Sequence, residues 1–272
     1  MGDEKPVAWI VTVGNEILIG RVVNTNASWL AEKLTFMGFS VERIITVPDD
    51  LDDIEEEVGR AIARARIVVT TGGLGPTYDD RTLEGVARAA GRRLVLNERA
   101  LDMVRQFYEK AGYTLTEDRV KMAYLPEGAE AIPNPVGAAP GSYLEVNDTI
   151  VVSLPGVPAE MKTMFDNYVS PLLKRIAPHR RAVDCGFTVR GVPESSLAPW
   201  IKRAAKMEPG VYLKSHPKGH ETGSPLLEIR ALASAETLDD ARAKALRVLE
   251  YVVSKSRELG GETGEIDCIA KD

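Results

Sequence analysis

Residues 67–82 read IVVTTGGLGPTYDDRT and contain the transition from strand to loop to helix around which the chain is organised. The first five, Ile67–Thr71, are apolar or β-branched, which predicts a short buried strand. Three glycines and a proline follow, and then two adjacent carboxylates. A helix is predicted over Asp80–Ala90, with Gly91 as its carboxyl-terminal cap. Such a strand–loop–helix unit is the building block of α/β folds.

The segments before this unit repeat the same alternation. Val7–Val13 is a continuous apolar run and Val41–Val47 is rich in β-branched residues, so both are predicted strands. A helix follows each of them: the first begins at the capping residues Asn24–Asn26, and the second covers Leu51–Ala65 with carboxylates in its first turn. This order predicts a mainly parallel sheet with helices on both faces.

The following region, Arg93–Ser142, is less regular and contains the Pro/Gly-rich passage PEGAEAIPNPVGAAPG. A passage of this length without periodicity is typical of a functional lid or of a loose loop. The predicted elements from here to residue 176 are helices over Glu98–Gly112 and Thr116–Ala123, strands Ser142–Val146 and Thr149–Leu154 joined by a hairpin turn at Asn147-Asp148, and a long helix over Pro158–Ile176.

Ala177–Arg181, APHRR, is the predicted linker to a second domain. We expect an amino-terminal domain over residues 1–177, a small α+β domain over 178–260 and a poorly ordered tail over 261–272. The predicted elements of the second domain are strand Ala182–Arg190, helix Glu194–Lys206, strands Val211–Ser215 and Leu226–Leu232, and helix Thr237–Ser256.

The composition excludes several classes of protein. A net charge of −6 over 272 residues argues against nucleic acid or a membrane surface as the partner. No apolar run approaches the roughly 20 residues that span a bilayer, and the start MGDEKPVAWIV has no basic region of a signal peptide, so we expect a cytoplasmic protein.

A single glutamine, Gln106, and many charges suggest a thermophilic source. Cys185 and Cys268 do not form a zinc motif, and the spacing alone leaves open whether they form a disulfide.

Four loops are expected at one edge of the sheet. In an open parallel sheet, ligands bind outside the carboxyl ends of the strands, so the residues that follow each strand outline the site. These residues are Gly14-Asn15-Glu16 after the first strand, Pro48-Asp49-Asp50 after the second, the glycine motif after the third, and Pro155-Gly156 after Thr149–Leu154.

The glycine motif predicts a site for an anion together with a metal. Gly72, Gly73 and Gly75 lack a Cβ, so their backbone N–H groups can approach a phosphate, and the helix predicted at Asp80 adds its positive amino-terminal end. A phosphate would repel Asp79 and Asp80, so we expect them to bind a divalent cation that the phosphate also binds. The alternative is that Asp79 or Asp80 only caps the helix. The motif is neither a Walker A loop nor a Rossmann fingerprint.

The same residues resemble a known family. TGGLGPTYDDRT closely resembles the signature of the MoCF, or molybdopterin-binding, domain. Together with GNEILIGRVVNTNASWLAEKL, NPVGAAPGSYLE and LPGVPAEMK, residues 7–176 are similar to the amino-terminal domain of the CinA family, competence/damage-inducible protein A. Residues 182–256, with VRGVPESSLAPWI, resemble the small KH-type connecting domain of CinA. The chain stops where a bacterial CinA continues into its nicotinamide-nucleotide deamidase domain, so we expect that activity to be absent.

The resemblance implies a three-layer α/β/α fold and particular roles for residues. In the MoCF family an aspartate eight residues after the first motif glycine assists the metal, and here this position is Asp80. A second aspartate follows the proline of strand two; here it is Asp49, with Asp50 as the alternative. Ala138 stands where many CinA sequences carry threonine, so a hydroxyl role at that position is in doubt.

The first functional hypothesis is a metal-dependent pyrophosphatase that hydrolyses ADP-ribose or a related dinucleotide, as the resemblance to CinA implies. Asp80 would bind Mg²⁺ or Co²⁺, Asp49 would be a second ligand or a base, and K⁺ is a further candidate cofactor. The alternatives are a molybdopterin-binding adenylyltransferase of molybdenum cofactor biosynthesis and a non-catalytic nucleotide- or pterin-binding module. The residues predicted to bind substrate are Gly14, Asn15, Glu16, Gly72, Gly73, Leu74, Gly75, Pro155 and Gly156.

The family resemblance also predicts a homo-oligomer, most simply a dimer. A second reason is the apolar content of the irregular region Arg93–Ser142, which is too high for a freely solvated loop. Packing within the same chain would explain these residues equally well. Closed two-fold symmetry is the commonest arrangement when a surface pairs with itself.

Overall fold

The protein is described here as a computed structural model covering residues 6–177, 180–218 and 225–270. The chain divides into two units, and the boundary along the sequence falls between residues 178 and 179. Within the predicted linker Ala177–Arg181, residues 178–179 lie outside the described residues. None of the helices in the described ranges is long and apolar enough to cross a membrane.

The amino-terminal unit alternates strands and helices along most of its length. Its elements are β1 (Val7–Val13), α1 (Asn15–Leu18), α2 (Thr25–Phe36), β2 (Ser40–Val47), α3 (Leu51–Ile62), β3 (Ile67–Thr71), α4 (Thr82–Ala89), β4 (Leu94–Leu96), α5 (Glu98–Lys110), α6 (Glu117–Lys121), β5 (Tyr124–Pro126), β6 (Glu130–Ile132), β7 (Gly141–Val146), β8 (Thr149–Leu154), α7 (Pro158–Met164) and α8 (Ser170–Lys174).

Six of these strands form one sheet, in the order β2-β1-β3-β8-β7-β6. The four strands β2, β1, β3 and β8 are parallel, whereas β7 runs antiparallel to β8 and β6 antiparallel to β7. The predicted mainly parallel α/β sheet is therefore confirmed. Every residue of β3 and β8 is buried, as expected for strands covered by helices on both faces.

Alternate residues of β1 face the two helical layers. Trp9 lies in the same apolar core as Ile54 of α3. Thr12 points to the opposite face because side chains alternate along a strand, and there its hydroxyl accepts a hydrogen bond from Asn24 Nδ2 at 3.0 Å. Asn24 Oδ1 in turn accepts from the Ala27 N–H at 3.1 Å and caps α2, within the predicted capping residues. The sheet thus lies between two layers of helices.

The register of the parallel strands places their carboxyl ends side by side. Val13 of β1 pairs with Val47 of β2, and Thr71 of β3 pairs with Leu154 of β8. Thr12 also pairs with Thr71, so all four strands end at about the same level. The loops that follow these strands therefore begin at one edge of the sheet.

The long helix predicted over Pro158–Ile176 is interrupted. A π-helical turn, Phe165–Val169, separates α7 from α8. Pro171 lies in the first turn after it and has no backbone N–H to donate, so regular α-helical hydrogen bonding cannot continue through this point.

The irregular region of residues 93–142 contains two features that the sequence did not predict: β4 pairs with β5 in a small antiparallel sheet, and β6 extends the main sheet. Most of its apolar side chains pack within their own unit, with Val104, Met122 and Leu125 almost completely buried in the core. Packing within the chain, the alternative stated above, therefore accounts for most of the apolar content of this region. The dimer itself stays a prediction.

The second unit is an antiparallel sheet with two helices. Its elements are β9 (Arg181–Arg190), α9 (Glu194–Ala204), β10 (Tyr212–Pro217), β11 (Leu226–Ala235), α10 (Leu238–Glu258), β12 (Glu262–Thr263) and β13 (Asp267–Ala270). The strands have the order β10-β11-β9-β12, and β13 also pairs with β9. Buried apolar residues of β9, β11 and both helices form a core within this unit.

The prediction of a poorly ordered tail after residue 260 is wrong. Both β12 and β13 pair antiparallel with β9, and Cys268 lies directly opposite Cys185 in this pairing. The two cysteines form a disulfide across 83 residues of sequence. The sequence alone could not reveal this, because the tail gains its order from strand pairing and a crosslink rather than from an apolar pattern of its own.

Reduction of the disulfide is expected to destabilise the second unit by about 4 kcal/mol, since a crosslink over a loop of this length restricts the unfolded chain strongly. Chemical denaturation with and without dithiothreitol measures the change. Cys268→Ala should match the reduced wild type and should be insensitive to the reductant. An unfolding curve of the wild type that does not move on reduction would contradict this role.

Candidate functional site

A cleft of about 450 Å³ opens at the carboxyl edge of the parallel strands. Its lining contains nearly all residues that were predicted to bind a metal or a substrate; Asn15 is outside it, and so is Asp50, the alternative to Asp49. Their roles toward a metal or a substrate stay predictions. The predicted residues in the lining are Gly14, Glu16, Asp49, Gly72, Gly73, Leu74, Gly75, Asp80, Pro155 and Gly156.

Asp49 and Asp50 have different surroundings. The backbone N–H of Asn15 donates to Asp49 Oδ2 at 2.8 Å, so the Asp49 carboxylate joins the β2 loop to the start of α1 while it lines the cleft. Asp50 caps α3 instead, accepting from the backbone N–H groups of Asp52 at 3.0 Å and Asp53 at 3.4 Å. Asp49 is therefore the residue of this pair that can meet a ligand, whereas Asp50 is committed to the helix.

The first two glycines of the motif serve the packing of the loop itself. The Gly72 N–H donates to the Leu154 carbonyl at 3.1 Å, so this donor is already used within the protein, whereas contact of Gly72 with a substrate stays a prediction. Gly72 and Gly73 have φ angles of 101° and 65°, which disfavour other residues. A Cβ would overlap the Val13 carbonyl oxygen at Gly72 and the Thr82 hydroxyl at Gly73. These glycines allow the β3 loop to pass close to its neighbours.

The helix after the glycine loop begins later than predicted. It starts at Thr82 with Arg81 at the N-cap, so Asp80 is not in its first turn, and neither aspartate caps it. Both aspartates instead contact Thr77. Asp80 Oδ2 accepts from the Thr77 N–H at 2.8 Å, and the Thr77 hydroxyl lies within hydrogen-bond reach of carboxylate oxygens of Asp79 and Asp80.

Thr77, Asp79 and Asp80 form an acidic loop in which the arrangement keeps Asp79 charged. The hydrogen bond from Thr77 is the main cause that lowers the pKa of Asp79 below its usual value, and the hydrogen bond of its own backbone and the Lys121 ammonium act in the same direction. One hydroxyl carries a single hydrogen, so it cannot fully satisfy two carboxylates at once. A cation beside them would reduce their mutual repulsion.

Glu160 and Asn134 belong to the site, although no pattern in the sequence predicted a role for them. Glu160 lies in the first turn of α7 and lines the cleft, and its Oε2 accepts from Asn134 Nδ2 at 2.6 Å. One feature of the sequence could have indicated Glu160: it follows Pro155-Gly156 closely and lies at the start of the helix predicted over Pro158–Ile176. Its partner comes from a distant loop, and such a pairing is not visible in one sequence.

A divalent cation fits the donor set of the cleft. Its lining includes five carboxylates, which are oxygen ligands of the kind that Mg²⁺ uses. Within the part of the chain that the structure describes, no group of three His, Cys, Asp or Glu residues is close enough to hold a metal by itself. A cation here would therefore depend on one or two carboxylates plus oxygens from a ligand and water, which is usual for Mg²⁺ bound with phosphates. The five carboxylates belong to Glu16, Asp49, Asp79, Asp80 and Glu160.

The hydrogen bond between the Thr77 hydroxyl and the Asp79 carboxylate gives a direct prediction. Thr77→Val removes the hydroxyl donor and should raise the pKa of Asp79 toward its ordinary value. A carboxyl-carbon NMR titration measures it. Thr163→Val serves as the control because its hydroxyl donates to the Ala159 carbonyl instead. An unchanged Asp79 titration in Thr77→Val would show that the hydroxyl does not set this pKa.

Comparison with known proteins identifies the family. Residues 9–175 match the family described as "Probable molybdopterin binding domain". A protein of Aeropyrum pernix is 60% identical over 265 residues, covering 97% of this chain and 99% of its own length, and one of Pyrobaculum calidifontis is 52% identical over 254 residues, covering 92% and 97%. The crystal structure of the protein CinA with unknown function from Thermoplasma acidophilum is 43% identical, has a TM-score of 0.58, and covers 62% of this chain and 98% of its own. The chain belongs to the molybdopterin-binding (MoCF) domain family and is a CinA-like member of it.

Proposed function

We propose that the cleft binds molybdopterin and an adenine nucleotide with a divalent cation, and that it transfers the adenylyl group to the pterin phosphate. The observation that carries the proposal is the acidic loop of Thr77, Asp79 and Asp80 beside the glycine loop in a cleft of a molybdopterin-binding domain. A phosphate-bearing ligand and these carboxylates can share the cleft only through a cation.

In such a transfer the terminal phosphate oxygen of molybdopterin attacks the α-phosphorus of ATP, and pyrophosphate leaves. A bound Mg²⁺ or Co²⁺ would supply neutralisation of the charge that develops on the phosphoryl oxygens. Asp80, held by the Thr77 N–H, and Asp49, held by the Asn15 N–H, would each offer a carboxylate oxygen in a fixed orientation. Gly73 and Gly75 would let the ligand approach the backbone closely.

A second candidate is hydrolysis of ADP-ribose or a related dinucleotide pyrophosphate. The cleft contains more carboxylates than the one or two that a cation would use, and this favours hydrolysis because a further carboxylate can act as a base. Asp49 and Glu16 line the same cleft as Asp80, and either could accept a proton from a water that attacks the pyrophosphate. The products, AMP and ribose 5-phosphate, distinguish this reaction from adenylyl transfer. K⁺ would be a further cofactor for either reaction.

Asp80→Asn is expected to lower metal-dependent turnover by at least a hundredfold while the fold stays intact, because the amide keeps an acceptor for the Thr77 N–H but loses the charge. The assay supplies the protein with MgCl₂ or CoCl₂, with and without KCl, and follows adenylyl-molybdopterin formation from ATP and AMP release from ADP-ribose separately.

Asp148→Asn is the matched control, since Asp148 lies in the turn before β8, at the opposite end of the strand from the cleft. Full activity of a folded Asp80→Asn protein would remove Asp80 from the mechanism. ATP-dependent turnover without AMP release supports the first candidate, and AMP release alone supports the second. Binding without either product would leave a non-catalytic module.

The homodimer is also proposed, on a different surface from the one that the sequence suggested. From the end of α1 to the start of α2, four apolar side chains are exposed, and Val23 is exposed over 80% of its surface: Leu18, Ile19, Val22 and Val23. Neighbouring exposed apolar side chains mark interaction surfaces.

Light scattering should give twice the 29.6 kDa of one chain, and Ile19→Asp should give the mass of one chain by placing a charge in the contact. Tyr113→Ser, an exposed position on the irregular region, is the control and should keep the larger mass. A wild-type mass of one chain at micromolar concentration would exclude the dimer.

A further inference from the structure

Glu160 is held in the cleft by a loop that is built around its carboxylate. Asn134 Nδ2 donates to Glu160 Oε2 at 2.6 Å and also to the Ala139 carbonyl at 2.9 Å. Asn134 Oδ1 accepts from the Val136 N–H at 3.2 Å, which fixes the orientation of the amide. The carboxylate is thus positioned before any ligand binds.

Gly137 lies directly against this carboxylate. A Cβ at this position would overlap the Glu160 carboxylate carbon and both of its oxygens. Gly137 has no positive φ angle, so a side chain at this position would displace the Glu160 carboxylate rather than strain the backbone. The loop and the carboxylate form one fitted unit at the side of the cleft that α7 contributes.

A carboxylate fixed in this way cannot receive the phosphates of an anionic ligand. It belongs to no group of three metal-binding side chains within the described ranges, and its Oε1 has no protein partner there. An ionised carboxylate only accepts hydrogen bonds, so any ligand group that hydrogen-bonds to Glu160 must be a donor. In a nucleotide, the two vicinal hydroxyls of the ribose are neighbouring donors that match the two oxygens of one carboxylate.

We propose that Glu160 is the specificity-determining residue that recognises the ribose diol of the bound nucleotide. This inference rests on the proposed function, because it requires that the cleft binds a nucleotide. It applies to adenylyl transfer and to pyrophosphate hydrolysis alike, since both begin with an adenosine phosphate in the cleft. Asn134 and Gly137 are positioning residues that hold the carboxylate.

Calorimetric titration of the full chain with ADP and with 2′,3′-dideoxy-ADP, both in excess MgCl₂, tests the assignment. The wild type should bind ADP at least about tenfold more tightly than the dideoxy analogue, as expected for hydrogen bonds to a charged group. Glu160→Gln keeps the shape and an acceptor for Asn134 but loses the charge. It should weaken ADP binding about tenfold, leave the dideoxy analogue unchanged, and so reduce the discrimination to within about twofold.

Glu145→Gln is the matched control: Glu145 lies on β7, contacts Tyr143 and does not line the cleft, so both affinities should stay at the wild-type values. Gly137→Ala is a second variant that displaces the carboxylate without removing it, and it should reduce the discrimination as well. Thermal unfolding of each variant checks that the fold is retained.

Three outcomes overturn the inference. Equal binding of ADP and dideoxy-ADP by the wild type would exclude ribose recognition while leaving the proposed function intact. Equal weakening of both nucleotides in Glu160→Gln would reduce Glu160 to a structural support of the loop. If no adenosine phosphate binds at all, both the inference and the proposed function fail.

Discussion

One buried amide, the side chain of Asn26, joins the loops of the cleft to the helical layer. Its Nδ2 donates to the Gly156 carbonyl at 2.8 Å and to Thr71 Oγ1 at 3.2 Å, and the Thr71 hydroxyl donates to the Pro155 carbonyl at 3.0 Å. These bonds lie where β3 and β8 end and where strand pairing can no longer satisfy the backbone. A movement of α2 away from the strand ends would leave these carbonyls without a donor, and an unpaired buried carbonyl costs about 1–3 kcal/mol. The hydrogen bonds therefore hold α2 and the ends of β3 and β8 in one arrangement. The side chain of Asn26 thus keeps the loops of the cleft in fixed positions.

The charge of the cleft follows from the same fixed loops. Its lining contains five carboxylates and, within the described residues, no lysine or arginine, although the Lys121 ammonium donates to the Thr77 carbonyl nearby. Hydrogen bonding lowers the pKa of Asp79, so protonation of this carboxylate does not relieve its repulsion of a phosphate at neutral pH. Two unit charges 4 Å apart still interact by about 4 kcal/mol near a protein surface. A phosphate ligand therefore needs a cation here, and binding of the two should be mutually dependent.

The sequence predicted the central sheet well because the strands are buried on both faces and their apolar runs are continuous. Val7–Val13 and Ile67–Thr71 are strands with the predicted bounds. The sequence did not predict features that depend on partners distant in the chain. These are the pairing of β12 and β13 with β9, and the contact of Asn134 with Glu160. The convergence of four loops was predictable from topology. The hydrogen bond from the Gly72 N–H to the Leu154 carbonyl was not. Local composition indicates which residues gather at an edge, but not which of their groups are already occupied.

Some glycines in and beside the cleft have a physical role that differs from a phosphate cradle. Three of them lie against carboxylates so closely that a Cβ would overlap the acid: at Gly14 it would be 2.6 Å from Glu16 Oε1, at Gly75 it would be 2.7 Å from Asp80 Oδ2, and at Gly137 it would meet Glu160. A larger residue at these positions would displace a carboxylate before it touched a ligand. At these three positions glycine provides the space in which the carboxylate of Glu16, Asp80 or Glu160 is packed and oriented. Under the proposed function, these acceptor oxygens would favour cations and hydroxyl groups, and a phosphate would enter only together with the cation that it binds.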